Sequence, residues 1–302
     1  MGGGSWTSDS FKKYSTSLGR SVDAYGTVDT RGMDASQIYK SSRLDPDLDP
    51  NAVIRECRDS EEHPNTIPVI LALDVTGSMG DAAVEVASKL NNIITELYKS
   101  VKDIEFMIMG IGDFAYDKAP LQVSQFESDI RIAEQLDKIF FEFGGGGNVY
   151  ESYTAAWKFA VTQTDLDCWK RGKKGIIITM GDEELNPHIP TKAYAKVTGT
   201  EECQSIETPE LYKEVIKKFD VFHLDVNHFS EAAYNRSPKV YDANLLCRET
   251  TWKNVIGDHY FRVTIDEIKD KITEIINSCA LCESAYVPES AETSGIFETI
   301  TW

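Results

Sequence analysis

The run Ile67-Pro68-Val69-Ile70-Leu71-Ala72-Leu73 ends in Asp74 and continues directly into Val75-Thr76-Gly77-Ser78-Met79. An apolar run of that length, with prolines at its start and glycines beyond it, specifies a strand buried on both faces, the signature of a parallel sheet. Across residues 81–100, Val84, Val86, Leu90, Ile93, Ile94 and Leu97 recur at helical spacing, so the segment between is a strand-to-helix loop. A carboxylate at the strand end, followed by two hydroxyls at alternate positions, makes an oxygen-rich pocket suited to a hard cation such as magnesium. Ligands of open α/β sheets bind outside the carboxyl ends of the strands, which is where this loop falls. The competing reading is a helix cap, with Thr76 or Ser78 satisfying orphan N–H groups at the helix start. A cap leaves the acid at the strand end unexplained.

From Ile67 onward, strand and helix patterns alternate. Strands are expected over 104–112, 120–126, 175–180, 220–226 and 260–263, and helices over 129–140, 151–162, 208–219 and 265–279. The alternation predicts an α/β fold: a doubly wound, mostly parallel sheet with helices on both faces and one short antiparallel edge strand. This domain is expected to span residues 66–282. Residues 1–65 are polar and include the acidic, proline-punctuated turn Leu44-Asp45-Pro46-Asp47-Leu48-Asp49-Pro50. Tyr25, Met33, Ile38, Tyr39, Val53 and Ile54 are many apolar groups for a free linker, so an ordered extension wrapping the domain is expected. Residues 283–302 form an acidic, Ser/Thr-rich tail whose apolar end (Ile296, Phe297, Ile300, Trp302) is expected to dock on its own domain or on a partner.

The formal net charge of −18, from 49 acidic against 31 basic side chains in 302 residues, argues against a nucleic-acid partner, which requires clustered Lys and Arg. It suits a cation ligand or a basic partner patch. With no apolar segment of membrane-spanning length and no hydrophobic signal core at the N-terminus, no membrane partner and a cytoplasmic location are expected. The six cysteines are too dispersed for a disulfide framework, and Cys279-Ala280-Leu281-Cys282 lacks a second pair for a zinc knuckle.

Asp74-Val75-Thr76-Gly77-Ser78-Met79, with a strand before it and a helix after it, resembles the metal-ion-dependent adhesion site (MIDAS) of the von Willebrand factor A (vWA) family. The resemblance covers roughly residues 67–280 and implies a vWA/Rossmann-like fold. It implies that Thr76 and Ser78 ligate Mg²⁺ (or Mn²⁺) directly, that Asp74 acts directly or through water, and that one coordination position stays open for a partner's carboxylate. Two further loops are expected to complete the coordination of about six oxygens that hard cations take. Gly144-Gly145-Gly146-Gly147-Asn148-Val149-Tyr150-Glu151 is similar to a branch reading Gly-Gly-Gly-Asp-x-x-Glu, with Asn148 in the place of the Asp. Asn148 is therefore a candidate ligand; its alternative is an N-cap in a turn. Most members read Thr-Asp-Gly after the later strand, whereas this chain reads Thr179-Met180-Gly181-Asp182-Glu183. Asp182, or else Glu183, would have to reach back. Asp113 resembles an acid of the Gly-Gly-Gly-Asp branch and is the last candidate ligand, with Asp117 beside it on a second acidic rim.

The resemblance implies an intracellular, metal-dependent protein–protein interaction module or scaffold that binds an Asp or Glu carboxylate of a partner through the cation. Many non-secreted relatives serve an AAA+ ATPase, so such a partner is expected too. One alternative is a metal-dependent hydrolase using the same acidic crevice, with Asp182, Glu183 or His188 as general base, or a zinc or two-metal site built from His188, Asp225 and His228. The other is a structural subunit of a larger assembly, oligomerising through the terminal extensions. The chain shows no nucleophile beside a base and no Gly-Lys-Ser/Thr phosphate loop, so catalysis is not expected.

Overall fold

The computed structural model describes residues 4–143, 150–202, 204–226 and 231–281. In chain order its main elements are α1 (Ser8–Ser17), β1 (Ile67–Asp74), α2 (Gly80–Ser100), β2 (Ile104–Ile111), β3 (Leu121–Val123), α3 (Arg131–Asp137), α4 (Tyr153–Thr162), β4 (Gly175–Gly181), α5 (Thr208–Lys218), β5 (Phe219–Val226), α6 (Pro238–Ile256), β6 (Tyr260–Val263) and α7 (Ile268–Leu281). The strands pair in the order β6-β5-β4-β1-β2-β3. Every neighbouring pair is parallel except β2 with β3, which is antiparallel. This is the doubly wound α/β sheet that the alternation predicts.

Side chains of β1 alternate between two cores, as the period of a strand requires. Val69, Leu71 and Leu73 join the cluster containing residues of α2 and α7, while Ile70 and Ala72 join the one containing residues of α4, α5 and α6. Pro68 is tolerated in this central strand because pairing to β4 starts one residue later, at Val69 opposite Ile176. From β1 the chain passes to β2 on one side and later to β4 on the other. The topological switch point therefore lies between β1 and β4, and the ligand crevice of such a sheet opens there.

The segment before β1 supplies part of the core. Trp6, Phe11, Val28, Ala35, Ile38, Tyr39 and Leu48 are buried in the α2-side cluster. Trp6 Nε1 donates to Asn91 Oδ1 at 3.1 Å, Tyr39 Oη donates to the Ala83 carbonyl at 2.9 Å, and Arg20 pairs with Asp137 at 2.9 Å. Tyr25, Met33 and Ile54, counted among the apolar groups of this segment, are exposed instead.

The elements differ from expectation in several places. The edge strand and α3 are shorter than 120–126 and 129–140. Helix α1 answers to no sequence signal identified above. Helix α6 was not predicted either, because it buries Trp252 and Ile256 while Val240 and Leu246 stay exposed; its apolar residues form no stripe. Among the described residues, no helix is long and apolar enough to cross a membrane. The tail from 283 lies outside the described residues.

Candidate functional site

The loop after β1 is pinned on two sides. Val75 N–H donates to the Ile111 carbonyl at 2.8 Å, and Glu142 N–H donates to the Val75 carbonyl at 2.9 Å. A tight turn, Gly77–Met79, buries Met79 and leads into α2. Neither the start of this turn nor the start of α2 has a side-chain cap. The hydroxyls point elsewhere. Thr76 Oγ1 donates to Asp74 Oδ1 at 2.6 Å, beside the Thr76 N–H at 2.9 Å. Ser78 Oγ donates to Asp182 Oδ1 at 2.9 Å, and the two hydroxyl oxygens stand 3.5 Å apart. The result is a continuous string of oxygens from Asp74 to Asp182. It runs outward: Asp74 and Thr76 are buried, whereas Ser78 is exposed.

Strand β4 explains why the second acid is Asp182. Met180 lies opposite Leu73 in register and is buried in the α2-side core. Its side chain cannot line the crevice, and the acid comes from the turn two residues on. Gly181 has a separate reason to lack a side chain. A Cβ there would sit 1.8 Å from the Tyr153 hydroxyl, and that hydroxyl donates to Asp74 Oδ2 at 3.0 Å. Tyr153 is itself held edge-on against His223 and Trp252, with ring centroids 5.3 and 5.1 Å away.

Carboxylates crowd this end of the sheet. Burial, and then the Asp182 charge, push the Asp74 carboxyl up to about 7, against the donors Thr76 and Tyr153, which pull it down. Burial and then Asp182 raise Glu183 to about 7, with Arg248 opposing. Glu151 is pushed up to about 10, first by burial and then by Asp74, Asp117, Asp113 and Glu183. Each shift disfavours the ionised carboxylate in the protein alone, and a bound cation would reverse that local electrostatic logic.

The structure thus brings Asp74, Thr76, Ser78 and Asp182 together. Asp113 follows β2 on the neighbouring turn, where its Oδ1 accepts the Ala115 N–H at 2.7 Å and its own N–H donates to Asp117 Oδ2 at 2.7 Å. Asn148 lies outside the described residues. Glu151 was quoted only as the last residue of the glycine-rich loop motif and not as a ligand, and Tyr153 and Gly181 were not marked as site residues; a glycine directly after a buried strand run was the one signal available for these two.

The donors along the string are of the kind magnesium or manganese takes. All are oxygens of carboxylates or hydroxyls, the hard donors such ions take.

The zinc alternative is not supported. Asp225 is already neutralised by Arg248 at 2.9 Å and Arg262 at 3.3 Å. His188 is exposed, and His228 lies outside the described residues. His223, the other histidine of this strand region, is buried, stacked on Trp252 at 3.5 Å. Among the described residues, no group of three or more His, Cys, Asp or Glu is placed to hold a metal; the oxygen string above has two acids and two hydroxyls.

No protein-family model matches the chain, and no curated protein matches it. Among solved structures, the chain is similar to the pilus adhesin SpaC from Lactobacillus rhamnosus GG in its open conformation. That match has a TM-score of 0.46 and 13% identity over 76% of this chain and 31% of the adhesin. It is also similar to the vWF domain of the type V pili tip protein Mfa5 from Porphyromonas gingivalis, at TM-score 0.41 and 13% identity over 70% of this chain and 95% of that domain. Proximal thread matrix protein 1 from the mussel byssus gives 0.38 and 13% over 72% and 46%. The chain spans about a third of the adhesin's length.

Proposed function

We propose that the crevice between β1 and β4 is a divalent-cation site through which the protein captures a carboxylate of a partner protein. The observation that carries this reading is the direction of the two hydroxyls. Thr76 and Ser78 leave the helix N–H groups uncapped and face Asp74 and Asp182. Thr76 and Ser78 would ligate Mg²⁺ or Mn²⁺, with Asp74 and Asp182 supplying negative charge directly or through water. When bound, the cation supplies a Lewis-acidic position and reverses the sign of the local field, so that an acidic protein can bind an acidic group. Asp74 holds the buried end of the string, oriented by Thr76 and Tyr153. Ser78 holds the exposed end, where a partner's side chain has access.

Calorimetric titration of Mn²⁺ and Mg²⁺ into chelator-stripped protein tests the site. One saturable site, lost in Asp74→Ala and in Ser78→Ala, is expected. Binding that survives both substitutions, or none by the folded wild type, would overturn the reading. Metal-dependent capture of short Asp-containing peptides, released by chelator, tests the partner's chemistry.

A further inference from the structure

Helix α6 carries none of the proposed ligands, yet three of its side chains hold the turn that presents Asp182. The Arg248 Nη1 donates to the Asp182 carbonyl, and its Nη2 lies 2.9 Å from Asp225 Oδ1 on β5. One guanidinium thus ties the turn after β4 to the adjacent strand. Further along the helix, Trp252 Nε1 donates to the Glu183 carbonyl at 3.1 Å, and Thr251 Oγ1 accepts the Leu185 N–H at 3.3 Å. The anchor is itself fixed, because Asp225 is buried and also bound by Arg262 and by the Tyr260 hydroxyl.

The turn needs such support. The ladder between β4 and β5 ends at Gly181 opposite Asp225, and the next paired residues are Glu184 and Leu185, against Tyr150 and Glu151. Asp182 and Glu183 fall between the two ladders. In a chain with Met180 packed in the core, the acid therefore sits on the turn between the two ladders. A site whose supporting shell is loose by an ångström loses its function.

We propose that Arg248 is a positioning residue for the cation site, keeping the Asp182 carboxylate in register with Ser78 by clamping the Asp182 backbone to Asp225. The proposal rests on the cation-site reading above. A guanidinium suits the task because its planar fork serves two acceptors at fixed angles, whereas a lysine ammonium is a flexible point charge.

The test compares wild type, Arg248→Lys and the double variant Arg248→Met with Asp225→Asn, which avoids leaving a buried carboxylate short of a partner. Lys213→Ala, which removes an exposed pair with Glu210 on α5, is the control. Two readouts are taken: amide hydrogen exchange across 182–185 without metal, and Mn²⁺ affinity followed by water-proton relaxation. The double variant is expected to exchange faster at 182–185 while 176–179 stays protected. It is also expected to bind Mn²⁺ about 10–100-fold more weakly, the usual cost of removing a group that orients a ligand, with Arg248→Lys in between. A folded double variant with wild-type Mn²⁺ affinity overturns the proposal, whether or not exchange changes, and leaves the cation site standing. A wild type that binds no Mn²⁺ overturns the cation site and the clamp's purpose together.

Discussion

The Tyr153 hydroxyl donates to Asp74 Oδ2 at 3.0 Å across a gap that is open because residue 181 is glycine. The same acid receives Thr76 on its other oxygen, so both lone-pair faces of a buried carboxylate are met by neutral donors. Orientation is set before any cation arrives, which is what a site needs if binding is not to begin with an ordering cost.

Gly181→Ala is expected to destabilise the protein by about 1–3 kcal/mol or more, the range for overpacking a filled core. Tyr153→Phe should not rescue it, since the ring carbons themselves would lie 2.6 and 2.8 Å from the new Cβ. Denaturant unfolding of both single variants and the double checks this; recovery in the double variant would place the clash at the hydroxyl alone.

Ser78→Ala should leave stability within about 0.5 kcal/mol, because the side chain is exposed and caps no helix. Mn²⁺ binding by the same variant is expected to disappear. Unfolding curves beside a metal titration separate the two effects; equal loss of both would make Ser78 a structural residue.

Stability of the metal-free protein should fall as pH rises from about 4 to 7. The Asp74 carboxyl is raised from 3.8 to about 7 on folding, so over that window the folded chain holds a proton that the unfolded chain has lost. Its favourable contribution is complete below the unfolded value and gone above the folded one. Glu183 shifts in the same direction. Asp74→Asn should flatten the profile, and the stabilisation given by Mn²⁺ should be larger at pH 8 than at pH 5.5. Thermal unfolding across that range, with chelator and with metal, reads both.

Trp6→Ala is expected to cost about 3–5 kcal/mol, as for other buried aromatic truncations, because Trp6 is buried against Phe11 and bonded to Asn91 of α2. A chain beginning at residue 66 would expose the surface that Phe11, Ile38, Tyr39 and Leu48 cover. Denaturant midpoints for the point variant, and oligomer analysis of the truncated chain, measure the effect. An unchanged midpoint would make the N-terminal segment an appendage.

Local pattern by itself determined the sheet and the first half of the site. Residues 67–73 are apolar without a break, and burial on both faces of a parallel strand demands that. The Asp74, Thr76 and Ser78 spacing then follows along one stretch of chain, so it is visible without a fold. Tertiary structure decided the rest. Whether the Thr76 and Ser78 hydroxyls cap a helix or face carboxylates depends on what stands opposite, and Asp182 is 104 residues from Ser78. The register of β4 against β1 sends Met180 into the core and leaves the acid to an irregular turn. Arg248 and Tyr153 reach that region from helices whose sequences mark neither as a site residue, because a residue's partner across a fold has no period in the chain. Register and helix packing are long-range contacts, and only the folded chain sets them.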